Sequence, residues 1–355
     1  MKFEIAGGGS AITRLSDLVG RAYAAKTEKP ETETASPFSR LDTLMQQAPP
    51  ASGEAGQGGE ALYQKARQEI ARIVEAASWN KPYQVEALQA VVQELAESLL
   101  AGDDLLLQAL EGGETHLDLP THMVNVAVFA IRIGQGIGYG PDDLGRVGLA
   151  ACLHDVGMVT VSRTILEKSE PLTAEELAQI RQHPDKSHQM LQALGSEFDW
   201  VATVALQEQE REDGSGYPLG LQRDQIHEYA KVIGLADAYE SLTHKRPHQK
   251  LRVPFEAVKE IMTTDRSKFP NQILKGLIQG LSTFPVGSIV RLNSKEFARV
   301  VATNRAFPLR PVVEVLTGPR GDRIATPRQI DLAQNSLMYI TDAASADEVS
   351  VLRAL

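Results

Sequence analysis

From about residue 60 to residue 282, apolar residues recur every three or four positions almost without a break, and this periodicity limits the fold to a helical one. ALYQKARQEIARIVEAA and YQVEALQAVVQELAESLLA each carry one apolar stripe, as helices lying on a core do. VNVAVFAIRIGQGIG and DLGRVGLAACLHDVG are more uniformly apolar, which predicts central helices. TAEELAQIRQH opens on a capping box, Thr173 with Glu176, and YAKVIGLADAYESLTH and FEAVKEIMTT extend the helical set. After Phe284 the pattern changes. VGSIVRLN, FARVVATN and PVVEVL are short β-branched runs separated by Asn, Pro and Gly, which predict a small twisted sheet or partial barrel. The expected fold is mainly α: a helical bundle with a small C-terminal β appendage and a flexible N-terminal segment.

Composition sets the outer limits. Residues 1–60 begin with a short strand-like stretch, KFEIA, and a weakly helical one, and continue in Pro, Gly, Ser, Thr, Ala and Glu. Too little apolar surface is available there to offset ordering, so a flexible segment and linker is expected. The boundaries that follow are 61–114 for a helical extension packing on the bundle, 115–284 for the bundle domain and 285–355 for the β appendage and tail. A net charge of −10 opposes binding to nucleic acid polymers or anionic membranes. A single cysteine, Cys152, excludes an intramolecular disulfide and a thiolate metal cluster. No apolar run reaches the length of a membrane span, and MKFEIAGGGS lacks the pattern of a signal peptide. A cytoplasmic protein without membrane insertion is expected.

Chemistry can reside in few places. His154 and Asp155 adjoin near the end of an apolar helix, His122 opens another, and Asp237 falls in the middle of a third. Taken singly, each is a capping residue, a wet first-turn histidine or half of a buried ion pair. A charged carboxylate in an apolar helix is costly unless it is paired or bound to a cation. Together they offer two imidazoles and two carboxylates from facing helices, a set suited to a divalent ion such as Fe, Mn or Mg.

The order of these residues resembles the HD superfamily of metal-dependent phosphohydrolases, and more narrowly the HD-GYP subfamily that hydrolyses cyclic di-GMP. HMVNVA, LHDVGM, LTAEE with RQHP, EREDGSGYPLGL and ADAYESLTHKRP carry the resemblance across roughly residues 115 to 282. It implies a first metal held by His122, His154, Asp155 and Asp237, with His154 and Asp155 central to catalysis. It implies a second metal held by the bridging Asp155, His183 and the residues near position 208. Gly214, Gly216 and Tyr217 would shape the substrate pocket, since glycines admit backbone N–H groups close to phosphate. Arg246 would contact the substrate phosphate.

Several positions depart from the family pattern. Where the family has His-His-Glu, this chain has Glu208, Gln209 and Glu210. Met158 replaces the lysine usual after the His-Asp-x-Gly run, and the carboxylate ahead of the first histidine is Asp118 instead of Glu. Glu208 and Asp118 remain candidate ligands. The sequence therefore predicts one good site for a divalent metal, Fe or Mn, and a second site weakened or empty. The expected function is cyclic di-GMP signalling, by binding the dinucleotide or a signalling protein with weak or no hydrolysis. The alternatives are an active phosphodiesterase, with Glu208 rebuilding the second site, and an HD hydrolase of another nucleotide. The YQKARQEIARIVEAA helix could mediate a homodimer, although packing on its own bundle accounts for it more simply.

Overall fold

A computed structural model of the chain describes residues 56–102, 104–111, 118–168, 170–244, 252–281, 284–304, 306–344 and 348. The expected strand and linker at residues 1–55, and Arg246, lie outside the described residues.

Eleven labelled helices follow in order. They are α1 (Gly56–Ser78), α2 (Glu86–Ala101), α3 (Asp104–Glu111), α4 (Leu119–Ile137), α5 (Pro141–Leu153), α6 (Ala174–Ile180), α7 (His183–Gln192), α8 (Asp199–Gln207), α9 (Glu228–Thr243), α10 (Pro254–Thr263) and α11 (Asn271–Gly280). A 3₁₀ segment, Val156–Thr160, and one helical turn, Arg163–Leu166, link α5 to α6. Helix α1 starts at Gly56, ahead of the boundary expected at 61.

The bundle is organised around α4. Every residue from Met123 to Gly134 is buried, and the helix packs against α1, α5, α9 and α11. This is what a helix apolar on all sides requires. Asp118 caps its N-terminus by accepting from Thr121 N at 3.0 Å, and Pro120 occupies the first turn, where its missing N–H costs nothing. The one cation in the buried stretch, Arg132, donates to carbonyls of Leu99 and Gly280 at the C-terminal ends of α2 and α11. Those ends carry partial negative charge, which offsets burial of the guanidinium. Helix α1 buries Ala66, Ile70 and Ile73 in the same core, so it packs on its own bundle. Thr173 and Glu176 form the expected reciprocal capping box at α6.

The C-terminal unit is a five-stranded antiparallel sheet of β1 (Ile289–Leu292), β2 (Phe297–Ala302), β3 (Val312–Thr317), β4 (Arg323–Asp331) and β5 (Ile340–Ala343), ordered β4-β3-β2-β1-β5. Three strands coincide with the β-branched runs, whereas β4, RIATPRQID, is the longest strand and has no such signal. It is an edge strand, where Pro327 removes no ladder bond that the fold needs, and its register shifts opposite Val315 and Thr317.

Candidate metal centre

Five segments deliver the site. His122 lies in the first turn of α4, His154 and Asp155 directly follow α5, and His183 opens α7. Glu208 caps the end of α8, and Asp237 lies two-thirds along α9. Two groups of possible ligands form among the described residues: His122, His154 and Asp237 in one, Asp155, His183 and Glu208 in the other. Within each group the candidate ligand atoms lie within 4.8 Å of one another.

Asp155 joins the two groups. Its Oδ2 is 3.4 Å from His122 Nε2 and 3.7 Å from His154 Nε2, while its Oδ1 is 3.2 Å from His183 Nε2. His122 Nε2 also lies 3.5 Å from Asp237 Oδ1, and His183 Nε2 lies 3.0 Å from Glu208 Oε1. Close approach of the backbone makes this convergence possible. A Cβ on Gly157 would stand 2.4 Å from both His183 O and Ser187 N, so only glycine lets the segment after Asp155 lie against the start of α7.

Each imidazole is held from outside. His154 Nδ1 is 2.7 Å from the Ala151 carbonyl, and His183 Nδ1 is 2.8 Å from the Ile180 carbonyl. A carbonyl oxygen only accepts, so Nδ1 carries the hydrogen and Nε2 is the nitrogen presented to the site. His122 follows the same plan with Glu240, whose Oε2 lies 3.0 Å from Nδ1. Histidine metal ligands are oriented in this way.

The electrostatics call for cations. Glu208 is 0 % exposed, and burial raises its carboxyl above the ordinary value, opposed in part by His183. Burial also pushes Asp155 upward, but His154, His183 and His122 outweigh it and hold that carboxyl far below the usual range. Burial lowers His122, yet Glu240, Asp155 and Asp237 prevail and leave it at about 10. His183 stands at about 9, with Asp155 and Glu208 overcoming burial. His154 Nε2, Asp155 Oδ1 and Glu208 Oε2 are buried with no hydrogen-bond partner. Unsatisfied ligand atoms of this kind, set among neighbouring carboxylates and imidazoles, fit divalent cations. Two such ions would balance the charge of Asp155, Glu208, Asp237 and Glu240.

Asp118 belongs to neither group: it caps α4 and accepts from Arg67 at 2.5 Å. Gln209 donates to Asp237 Oδ2 at 3.1 Å and accepts from Arg211 at 3.3 Å, bracing a candidate ligand. Gly214 and Gly216 lie in the turn, with Gly214 at φ +79°. A Cβ on Gly216 would stand 2.4 Å from Glu210 Cα and 2.5 Å from Arg211 N. Tyr217 packs edge-on to His183, ring centroids 6.3 Å apart, with Arg181 5.3 Å above the tyrosine ring.

Three features escaped sequence reasoning. Glu210 is buried and accepts from the amides of Leu219, Gly220 and Leu221 at 2.6, 3.1 and 2.9 Å, so it anchors the glycine turn. The charged stretch feeds the turn because one of its carboxylates fastens it. His244 is only 1 % exposed and contacts the Ala109 carbonyl at 2.9 Å. Trp79, just past the end of α1, is 70 % exposed.

Residues 113–273 match the HD domain family, and residues 289–352 match a KOW domain associated with HD domains. The chain is an HD-domain protein. It is 32 % identical over 242 residues to the cyclic di-GMP phosphodiesterase PA4108 of Pseudomonas aeruginosa, covering 68 % of this chain and 58 % of that protein. It is 28 % identical over 195 residues to the cyclic di-GMP phosphodiesterase PdeB of Borreliella burgdorferi, covering 55 % of this chain and 51 % of that one. A third relative, the 3'3'-cGAMP-specific phosphodiesterase 3 of Vibrio cholerae, is 32 % identical over 40 % of this chain and 30 % of its own length. The chain thus spans just over half the length of the first two relatives. The HDG"Y"P protein Bd1817 of Bdellovibrio bacteriovorus shares the fold, with a TM-score of 0.54 at 19 % identity over 67 % of this chain and 76 % of that chain. No described helix is long and apolar enough to cross a membrane.

Proposed function

We propose that this chain is a metal-dependent phosphodiesterase of the HD-GYP type that hydrolyses a 3',5'-cyclic dinucleotide, cyclic di-GMP, with two divalent cations. The observation that carries the reading is Asp155, whose two oxygens face separate groups, one with His122 and His154, the other with His183. The relatives' activity on cyclic dinucleotides supports the substrate class. This reading departs from the sequence expectation of weak or absent hydrolysis, because Glu208 reaches His183 and so fills the place of a missing histidine.

When bound, the cations supply Lewis-acid stabilisation of the phosphodiester and a more acidic water. The first ion would be held by His122, His154, Asp155 and Asp237, the second by Asp155, His183 and Glu208. The chain's own residues do the rest. Glu210 fixes the glycine turn, and the turn sets Tyr217 beside His183. Arg181, stacked on Tyr217, brings a cation next to the second group, where it takes over the phosphate contact that Met158 cannot make. Hydrolysis forms a new P–O bond from water and breaks the P–O3' bond. The 3' oxygen receives a proton and the product is the linear dinucleotide.

Glu208 also bears on the choice of metal. A carboxylate in place of an imidazole makes the second group harder, which favours Mn over softer ions. Metal analysis of the purified chain, with cyclic di-GMP turnover assayed in Mn and in Fe, tests the reading. Two ions per chain and a linear product are expected. Binding of cyclic di-GMP without cleavage, at full metal occupancy, would replace it with a sensor.

A further inference from the structure

The three site imidazoles differ in what fixes their outer nitrogen. His154 and His183 use a carbonyl three residues back, whereas His122 is placed against a side chain, Glu240. Glu240 is completely buried and stands three residues after Asp237, so one face of α9 offers both a candidate ligand and the support for another.

Behind Glu240 runs a chain of buried polar groups. Its Oε1 is 3.7 Å from His244 Nδ1, one turn further along. His244 Nε2 lies 2.9 Å from the Ala109 carbonyl of α3 and 3.4 Å from Asn125 Nδ2 on α4. Asn125 Oδ1 in turn accepts from Tyr63 Oη of α1 at 2.5 Å. Helix α1 also holds the backbone next to His122. Arg67 Nε donates to Thr121 Oγ1 at 2.8 Å, and the same guanidinium donates to Asp118, the α4 cap. Helices α1 and α3 both precede residue 113, where the match to the HD domain begins.

We infer that Glu240 is the positioning residue for His122, and that α1 and α3 complete its support through Tyr63, Asn125 and His244. The N-terminal helices are on this reading a working part of the first half-site and more than a neighbour of the domain. The inference rests on the proposed metal-dependent function. It follows from cost as well as geometry: a buried carboxylate 3.0 Å from His122 Nδ1 favours the ring orientation that keeps the two in contact. A ligand imidazole so restricted loses less freedom when a cation binds.

Titration of the full-length chain with Mn2+ tests this, with Glu208→Gln used to isolate the first half-site. Glu240→Gln keeps size and removes the anion; it is expected to weaken the first half-site about 10–100-fold and leave the second unchanged. Glu240→Asp should restore part of the loss. Tyr63→Phe should weaken the first half-site about threefold in the wild-type background and have no further effect in Glu240→Gln, because it acts through that carboxylate. Wild-type affinity in Glu240→Gln, or an equal loss at both half-sites, would overturn the inference while the functional reading stands. A wild-type chain that binds no divalent cation would sink both.

Discussion

The two half-sites are built differently. The first draws on helix interiors and a helix start: His122 and Asp237 project from α4 and α9, and His154 directly ends α5. The second sits on ends and turns, with Asp155 after α5, His183 opening α7 and Glu208 capping α8. Within the two groups, the departures from the HD-GYP pattern fall in the second, at Glu208 and the neighbouring Gln209, while Asp118 belongs to neither group. A helix end tolerates a changed side chain more readily than a helix interior, because its backbone can adjust without disturbing an intrahelical ladder. What the second half-site keeps is geometry. Glu208 still reaches His183, and His183 still reaches Asp155.

The shared carboxylate should erase that difference. Asp155→Asn is expected to lower metal uptake at both half-sites and to cut turnover about a thousandfold, the upper end for one electrostatic group. Elemental analysis beside an activity assay checks this; retention of one tightly bound ion would mean that Asp155 is not shared. Glu208→Gln should instead separate the half-sites. One ion stays, and turnover falls about a hundredfold. Glu208→His should return the second ion and shift preference from Mn towards Fe, read from activity with each metal. A smaller effect is expected from Arg181→Ala, about a tenfold loss of kcat/KM with metal content unchanged. Arg181 is exposed, and solvent weakens a charge there relative to an enclosed donor.

How much of this was legible in the sequence differs by element. The bundle followed from apolar spacing, since α4 and α5 are almost entirely apolar over the residues that the fold buries, Asn125 and Arg132 excepted. The first half-site was legible because His154–Asp155 and Asp237 are charges in apolar helices and have no inexpensive alternative. Glu240 and His244 were not. In AYESLTH they read as one face of an amphipathic helix, and only the contacts with His122 from α4 and Ala109 from α3 give them a role. Glu210 hid for a similar reason, as one of four acidic residues in a charged stretch whose amide partners lie nine to eleven residues on. Strand β4 was missed because Pro327 and its polar neighbours lack the β-branched signal, and the strand is fixed by pairing with β3.

Acidity offers the finest distinction between the half-sites. Without metal, His122 stands at about 10 and His183 at about 9, both above the ordinary imidazole value of 6.5. Each imidazole gains stability from its carboxylates while protonated in the folded state. That contribution is complete below pH 6.5, where the unfolded imidazole is also protonated, and is lost as pH rises through 9 for His183 and 10 for His122. The melting temperature of the metal-free chain should therefore decline over this range on account of these two groups. A cation needs the neutral imidazole, so metal affinity has the opposite slope and binding releases protons. Affinity at the second half-site should level off near pH 9 and that at the first near pH 10, as read by Mn2+ titration across pH with Glu208→Gln isolating the first. A common plateau for both half-sites would show that the extra carboxylate, Glu240, does not distinguish His122 from His183.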